Sequence, residues 1–294
     1  MPKRDRCKPK GISLTHKQQN GNMGQGLRCP NRGRNGVGYL FDGIRVQRCK
    51  QAAWITLTRP SRLNSPDQLM AASLGDACVE IASDRSILAV VITGDGDSFC
   101  EALPGPFSPS SPGHTGGEHP LGMAQMLAAL DIPVLAAVNG PAIGQGLEIA
   151  LACDIRIASR AAVFSMPQIL DGFLPWDGGT QRLPRIIGRS RAMELLVTGR
   201  QIDADEAFRI GLVQEVVENI DLLDAAQGLA DRICANAPIA VRYTKEAVLR
   251  GLDLRVEDGM QLEADLSFLL QSTSDRHEGI VSFLDRRPPR YRGQ

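Results

Sequence analysis

Glu148 lies in the run Leu147-Glu-Ile-Ala-Leu-Ala-Cys153, where a solvated carboxylate would be out of place and burial should raise its pKa. A carboxyl of raised pKa can take up and return a proton near neutral pH. Just ahead of it, Gly144, Gln145 and Gly146 open the helix that this run implies. The first N–H groups of a helix lack intrahelical acceptors, so a Gly-rich start presents them to any anionic oxygen brought close. A proton carrier beside an oxyanion trap is a layout for chemistry at a carbonyl. Two blander readings fit the same residues. The glycines could serve only tight packing, with Glu148 favouring the helix N-terminus electrostatically. A dinucleotide-binding turn is the other, and it fits poorly because Ile149 stands where a third Gly or Ala belongs.

The elements that must hold these residues are legible on either side. Val134 to Val138 is a wholly apolar run, the pattern of a strand covered on both faces, and Asn139-Gly140 ends it with residues that tolerate positive φ. Ile87 to Thr93 reads as a central strand, and Asp154 to Ala158 as the strand after the helix. Strands alternating with helices imply parallel crossover units. The spacing further predicts a hairpin over Ile44 to Cys49 and Trp54 to Thr58, and a helix starting at Ser65-Pro66-Asp67. A capping box falls at Asp203 to Glu206, an edge strand over Leu212 to Val217, and helices over Tyr243 to Arg250, Glu257 to Leu270 and Ser274 to Arg287.

Asn139-Gly-Pro-Ala-Ile-Gly-Gln-Gly-Leu-Glu-Ile-Ala-Leu-Ala-Cys-Asp-Ile-Arg-Ile-Ala158 resembles the signature of the enoyl-CoA hydratase/isomerase (crotonase) family, and later segments agree in order and spacing from about Tyr39 onward. The resemblance implies an α/β fold of the crotonase-like (ClpP/crotonase) type, a spiral of ββα units with a C-terminal helical region for trimerisation. It implies an acyl-CoA thioester as substrate, no separate cofactor, and homotrimers, often paired as homohexamers. Pro60-Ser-Arg-Leu-Asn64 is similar to the first CoA-contacting segment, which would place Arg62 and Leu63 at the CoA; a solvated Arg at a strand end is an equal alternative. Phe99-Cys-Glu-Ala-Leu-Pro104 replaces the family's Phe-Cys-Ala-Gly-Ala-Asp. Glu101 therefore takes the position of the first oxyanion N–H, with Ala102 and Leu103 beside it, while Pro104 removes a donor and restricts the backbone. The Gln145 N–H would be the second donor, and Gly144 would line the site.

Phe164 to Leu183 matches the second active-site segment, but where hydratases carry their second carboxylate this chain has Gln168. An amide can hydrogen-bond a water yet cannot exchange a proton near neutral pH. Asp177 is the nearest acid to replace it, unless it caps the helix that starts at Gly178. Trp176 is expected over the acyl group or in the core. Phe283-Leu-Asp-Arg-Arg-Pro-Pro289 is similar to the terminal helix that reaches a neighbouring subunit's CoA, making Phe283, Arg286 and Arg287 contacts in trans, although an Arg pair also suits a helix C-terminus. Together these residues imply enoyl-CoA hydration. The alternatives are double-bond isomerisation or decarboxylation with a single carboxylate, and a non-catalytic acyl-CoA binder.

Composition narrows the class. The chain of 294 residues is 43% hydrophobic, with no apolar run approaching the roughly 20 residues of a membrane helix and no secretory h-region, so a cytoplasmic protein without a membrane partner is expected. Seven scattered cysteines without a Cys-x-x-Cys pair argue against a disulfide framework and against zinc; no metal is expected. Residues 1–36 hold nine Lys/Arg and one acid but almost no apolar periodicity, which predicts a disordered basic tail. It lacks the interleaved aromatics of a nucleic-acid arm, so no nucleic acid is expected. Met23 is an alternative start. Residues 37–199 are expected to form the α/β core with the acyl-CoA site, and 200–294 a mainly helical region for oligomerisation. The loop that holds His114 and His119 reads as a substrate lid or a mobile segment.

Overall fold

The computed structural model describes residues 38–101 and 122–294. The expectations for the basic tail and for Ala102, Leu103, Pro104, His114 and His119 fall outside those residues.

β1 (Tyr39–Phe41), which the sequence did not announce, pairs antiparallel with β2 (Ile44–Cys49), and β2 turns through Lys50-Gln51 into β3 (Ala52–Leu57). Every residue of β3 is buried, as suits a strand flanked and covered on all sides. α1 (Gln68–Ser83) is capped by Asp67, whose carboxylate accepts the Met70 N–H at 2.9 Å and also pairs with Arg59. The start thus lies two residues later than the Ser65 expected, because Asp67 has the spacing to reach the third helical N–H. β4 (Ala89–Gly94) and the short β5 (Cys100–Glu101) follow.

Past residue 121 come α2 (Met123–Ala128), β6 (Val134–Val138), β7 (Ala142–Ile143), α3 (Gln145–Ala152), β8 (Ile155–Ser159) and β9 (Val163–Ser165). A 3₁₀ turn at Pro167–Asp171 leads to α4 (Gly179–Ile187), α5 (Arg189–Thr198), β10 (Ile202–Asp203), α6 (Ala204–Arg209) and β11 (Glu215–Val217). Helices α7 (Leu222–Cys234), α8 (Pro238–Gly251), α9 (Val256–Leu270) and α10 (Ser274–Leu284) follow.

Seven of these strands form one sheet in the order β1-β2-β3-β4-β6-β8-β11, parallel from β3 onward, and four form a second in the order β10-β9-β7-β5. The chain steps repeatedly from the large sheet to the small one: β4 to β5, β6 to β7 and then α3, β8 to β9. This repeat is the expected spiral of ββα units. The apolar core lies about the two sheets and α1, and it takes in Ile202, Ala204, Ala207, Leu212 and Val213. Packing is therefore continuous across residue 199, where a boundary was expected. α7 also packs on β4, β6 and β8.

Beyond α7 the pattern changes. α8 has no fully buried residue and α9 only Leu266, while Leu252, Val256, Met260, Phe268 and Phe283 are exposed. One buried cation fastens this region to the core. Lys245 on α8 donates to the Ile132 carbonyl at 2.8 Å and to the Asp154 carboxylate at 2.7 Å, and the same Asp154 oxygen accepts the Val134 N–H at the start of β6. No described helix is long and apolar enough to cross a membrane.

Candidate active site

Glu101, Ile143 and Ser165 stand in register at the C-terminal ends of three parallel strands, β5, β7 and β9. Parallel α/β sheets place ligands outside such strand ends. α3 begins two residues after Ile143. Gly144 bridges the gap with φ +61° and ψ −118°, a combination open in practice to Gly alone, and its N–H is fixed by the Ser165 carbonyl at 2.8 Å. The next N–H, that of Gln145, is the first of the helix and has no main-chain acceptor among the described residues. Gly146 lets α3 lie against β5, since a Cβ there would overlap the Cys100 carbonyl.

Glu148 follows one turn into α3 and is wholly buried. Its Oε1 accepts the Asp177 N–H at 2.8 Å and the Gly179 N–H at 2.9 Å; its Oε2 is buried without a hydrogen-bond partner among the described residues. Burial pushes its pKa up to about 7, against the two N–H donors and with help from the Asp177 charge. One oxygen is held and the other is available.

Gln168 sits in the 3₁₀ turn just past β9, and its Oε1 is likewise buried and unpartnered among the described residues. Asp177 is buried and does not cap α4, whose N-cap is Gly178 without a side-chain bond. Its carboxylate instead accepts the Ala124 N–H at 2.8 Å, capping α2 from a distance in sequence. Burial raises its pKa, while the Ala124 N–H and the Gln145 side chain pull the other way.

The expectation for Glu101 needs correction. Its N–H donates to the Leu63 carbonyl at 3.0 Å, so in this arrangement it is not open to a ligand. Leu63 adopts φ +54° at the end of a 3₁₀ turn, which swings its carbonyl toward β5. The Glu101 carboxylate accepts from Ser98 Oγ at 3.0 Å. Arg62 is exposed and pairs with Asp67 at 3.3 Å. Trp176 is half-buried, between Pro175 and Asp177. Phe283 is exposed at the end of α10 and Arg286 lies just beyond it with φ +54°, whereas Arg287 is engaged by Glu278 at 2.7 and 2.9 Å. The fold thus gathers Gln145, Glu148 and Asp177 in direct contact, with Glu101 and Gln168 on neighbouring strand ends. No described group of three His, Cys, Asp or Glu could hold a metal ion.

Three supporting residues were not singled out from the sequence. Asn139 accepts the Gly94 N–H at 3.0 Å and donates to the Gly96 carbonyl at 2.9 Å, and Asn64 donates to the Asp95 and Ser98 carbonyls at 3.0 and 2.8 Å. Together they fix the 94–98 turn that delivers β5. Arg182 donates to the Asp177 carbonyl at 2.7 Å. The signal available was weak: Asn139 follows an apolar strand and Asn64 a short 3₁₀ turn, and nothing local says which carbonyls either will meet.

Two sheets wound by repeated ββα units, with a buried carboxyl at the strand ends, define an α/β enzyme of the crotonase fold. The chain belongs to the enoyl-CoA hydratase/isomerase family, whose model matches residues 48–294. It is 38% identical over 253 residues to the (E)-benzylidenesuccinyl-CoA hydratase of Thauera aromatica, covering 85% of this chain and 99% of that protein. It is 37% identical over 253 residues to the short-chain-enoyl-CoA hydratase of Clostridium acetobutylicum, covering 84% and 96%. The crystal structure of an enoyl-CoA hydratase from Bacillus anthracis superposes with a TM-score of 0.79 at 35% identity, covering 86% of this chain and all of that one.

Proposed function

We propose that the protein is an enoyl-CoA hydratase, adding water reversibly across the Cα–Cβ double bond of an acyl-CoA thioester, with Glu148 as its proton carrier. One observation carries this reading: a wholly buried carboxyl poised near pH 7, one oxygen fixed by two N–H groups and the other without a partner among the described residues. The ionised Glu148 takes a proton from water as the oxygen attacks Cβ. Negative charge moves to the thioester oxygen, where the Gln145 N–H receives it. Protonated Glu148 then delivers its proton to Cα and is ionised again. Water and alkene are consumed, a 3-hydroxyacyl thioester forms, and a single carboxylate closes the cycle. Gln168, whose buried Oε1 has no partner among the described residues, orients the water without exchanging a proton. For Glu101 to serve as second donor, its N–H must exchange the Leu63 carbonyl for the substrate oxygen.

The decisive measurement is loss of enoyl-thioester absorbance with crotonyl-CoA, wild type against Glu148→Gln. Turnover should fall by about a hundredfold or more while ester binding persists; full activity in the variant removes Glu148 from the mechanism. Gln168 favours a second reading, double-bond isomerisation, in which Glu148 alone moves a proton between Cα and Cγ. A gain of absorbance from a 3-enoyl-CoA, with crotonyl-CoA left unchanged, would select it. The exposed apolar faces of α8 to α10 support assembly as a homotrimer or homohexamer, in which Phe283 and Arg286 meet the CoA of a neighbour. Arg62, Leu63, Gly144 and Trp176 are assigned to CoA and acyl contacts on the same family likeness. A cytoplasmic enzyme that uses no cofactor beyond the CoA of its substrate completes the proposal.

A further inference from the structure

Asp177 is the second buried acid of the site, yet its surroundings differ from those of Glu148. The Glu148 carboxyl keeps one oxygen without a hydrogen-bond partner among the described residues; that of Asp177 accepts from α2. The Ala124 N–H donates to its Oδ2 at 2.8 Å, the Gln125 N–H and the Gln145 side-chain amide interact with the same group, and Gly122 packs so closely that a Cβ there would overlap a carboxylate oxygen. The main chain of Asp177 is engaged as well. Its N–H holds Glu148 Oε1 at 2.8 Å, and its carbonyl accepts Arg182 Nη1 at 2.7 Å.

We propose that Asp177 is a positioning residue that sets both halves of the site at once: its main chain aims Glu148, and its side chain ties the first residue of α3, Gln145, to the start of α2. Gln145 is the residue whose N–H meets the thioester oxygen, so the inference rests on the hydratase reading for what the positioned groups do, but not for the tie itself. The side chain of Gln145 thereby gains a task separate from its main chain. A carboxylate whose Oδ2 is held by the Ala124 N–H, with the Gln125 N–H and the Gln145 amide beside it, is placed to serve as an acceptor, and the tie needs only acceptors in the right place. Asn supplies one acceptor of the same shape; Ala supplies none.

The test compares Asp177→Asn with Asp177→Ala in the full chain. With crotonyl-CoA, Asp177→Ala should lose about a hundredfold in kcat with KM nearly unchanged, the cost of a misaimed site. Asp177→Asn should recover most of that loss. Gln145→Ala should also lower kcat, and combining it with Asp177→Ala should cost less than the product of the two single effects, since both remove one tie. Amide hydrogen exchange reads the tie without any turnover: Ala124 and Gln125 should exchange faster in Asp177→Ala and at the wild-type rate in Asp177→Asn. If Asp177→Asn is as inactive as Asp177→Ala while exchange at Ala124 and Gln125 stays slow, Asp177 is a proton carrier and the proposal fails. Unchanged exchange in Asp177→Ala also overturns it. A wild type that binds but does not hydrate crotonyl-CoA counts against the hydratase reading alone, and the exchange experiment still decides the tie.

Discussion

Glu148 pays for its position in a way that pH reveals. Its folded-state pKa of about 7 lies above the ordinary 4.5, so the native state holds a proton that the unfolded chain has already released between those values. The stability that this group contributes is therefore complete below about pH 4.5 and is lost, by about 3 kcal/mol, as pH rises through 7. Glu148→Gln removes the titration. Urea unfolding at pH 5 and pH 8 should show the variant gaining on the wild type at the higher pH; an equal difference at both would mean that the carboxyl is not desolvated. At Gln168 the expectation runs toward function. Gln168→Glu introduces a second titrating group in the turn past β9 and should raise the hydration kcat by roughly tenfold, with a second limb in the pH–rate profile. An unchanged profile would place residue 168 away from the reacting atoms. Glu148 was legible in the sequence because a lone acid in an apolar run must be either buried or wrong. The partner of Asp177 was not, since Ala124 lies 53 residues away in the chain and α2 offers no local hint that it lacks its own cap.

At the scale of elements, the junction of β7 and α3 is the tightest in the site. Gly146 lies where a methyl group would enter the Cys100 carbonyl, so Gly146→Ala must push α3 away from β5. Overpacking of this kind typically costs about 1–3 kcal/mol, and the displaced helix start should also lower kcat. Denaturant midpoint and kcat measured together should both fall. A stable variant with reduced kcat would locate the effect in the aim of the Gln145 N–H, whereas full stability and full activity would show that the helix has room to move. Most elements were readable from period and punctuation: the apolar runs of β4 and β6, the Asn-Gly break and the N-cap at Asp203 all recur in the structure, although the Glu206 carboxylate that a capping box would turn back to Asp203 pairs with Arg200 instead. The misreadings are contests settled by tertiary contacts. Asp67 caps α1 in place of Ser65 because Arg59 also holds it, and the Glu101 N–H is claimed by Leu63, whose left-handed backbone no short pattern announces.

Across the whole molecule, the contrast is between a closed α/β body and helices that leave large apolar side chains uncovered. Leu252, Val256, Met260 and Phe268 are more than monomeric solubility calls for, and burying them between copies would recover roughly 1.5–3 kcal/mol for each large side chain. Met260→Glu should therefore lower the molar mass found by light scattering while far-UV circular dichroism stays unchanged; an unaltered mass would place the interface elsewhere. The helices themselves could be read from the sequence, but which faces stay open could not, because amphipathic spacing marks an apolar side without saying what meets it. Lys245 gives that open face a further meaning. It is a rivet driven from α8 into the mouth of β6 and the far end of the unit that bears Glu148. Withdrawing it would leave the Asp154 carboxylate and the Ile132 carbonyl turned toward each other with no charge between them, and the outer helices without their pin into the strand beside the site.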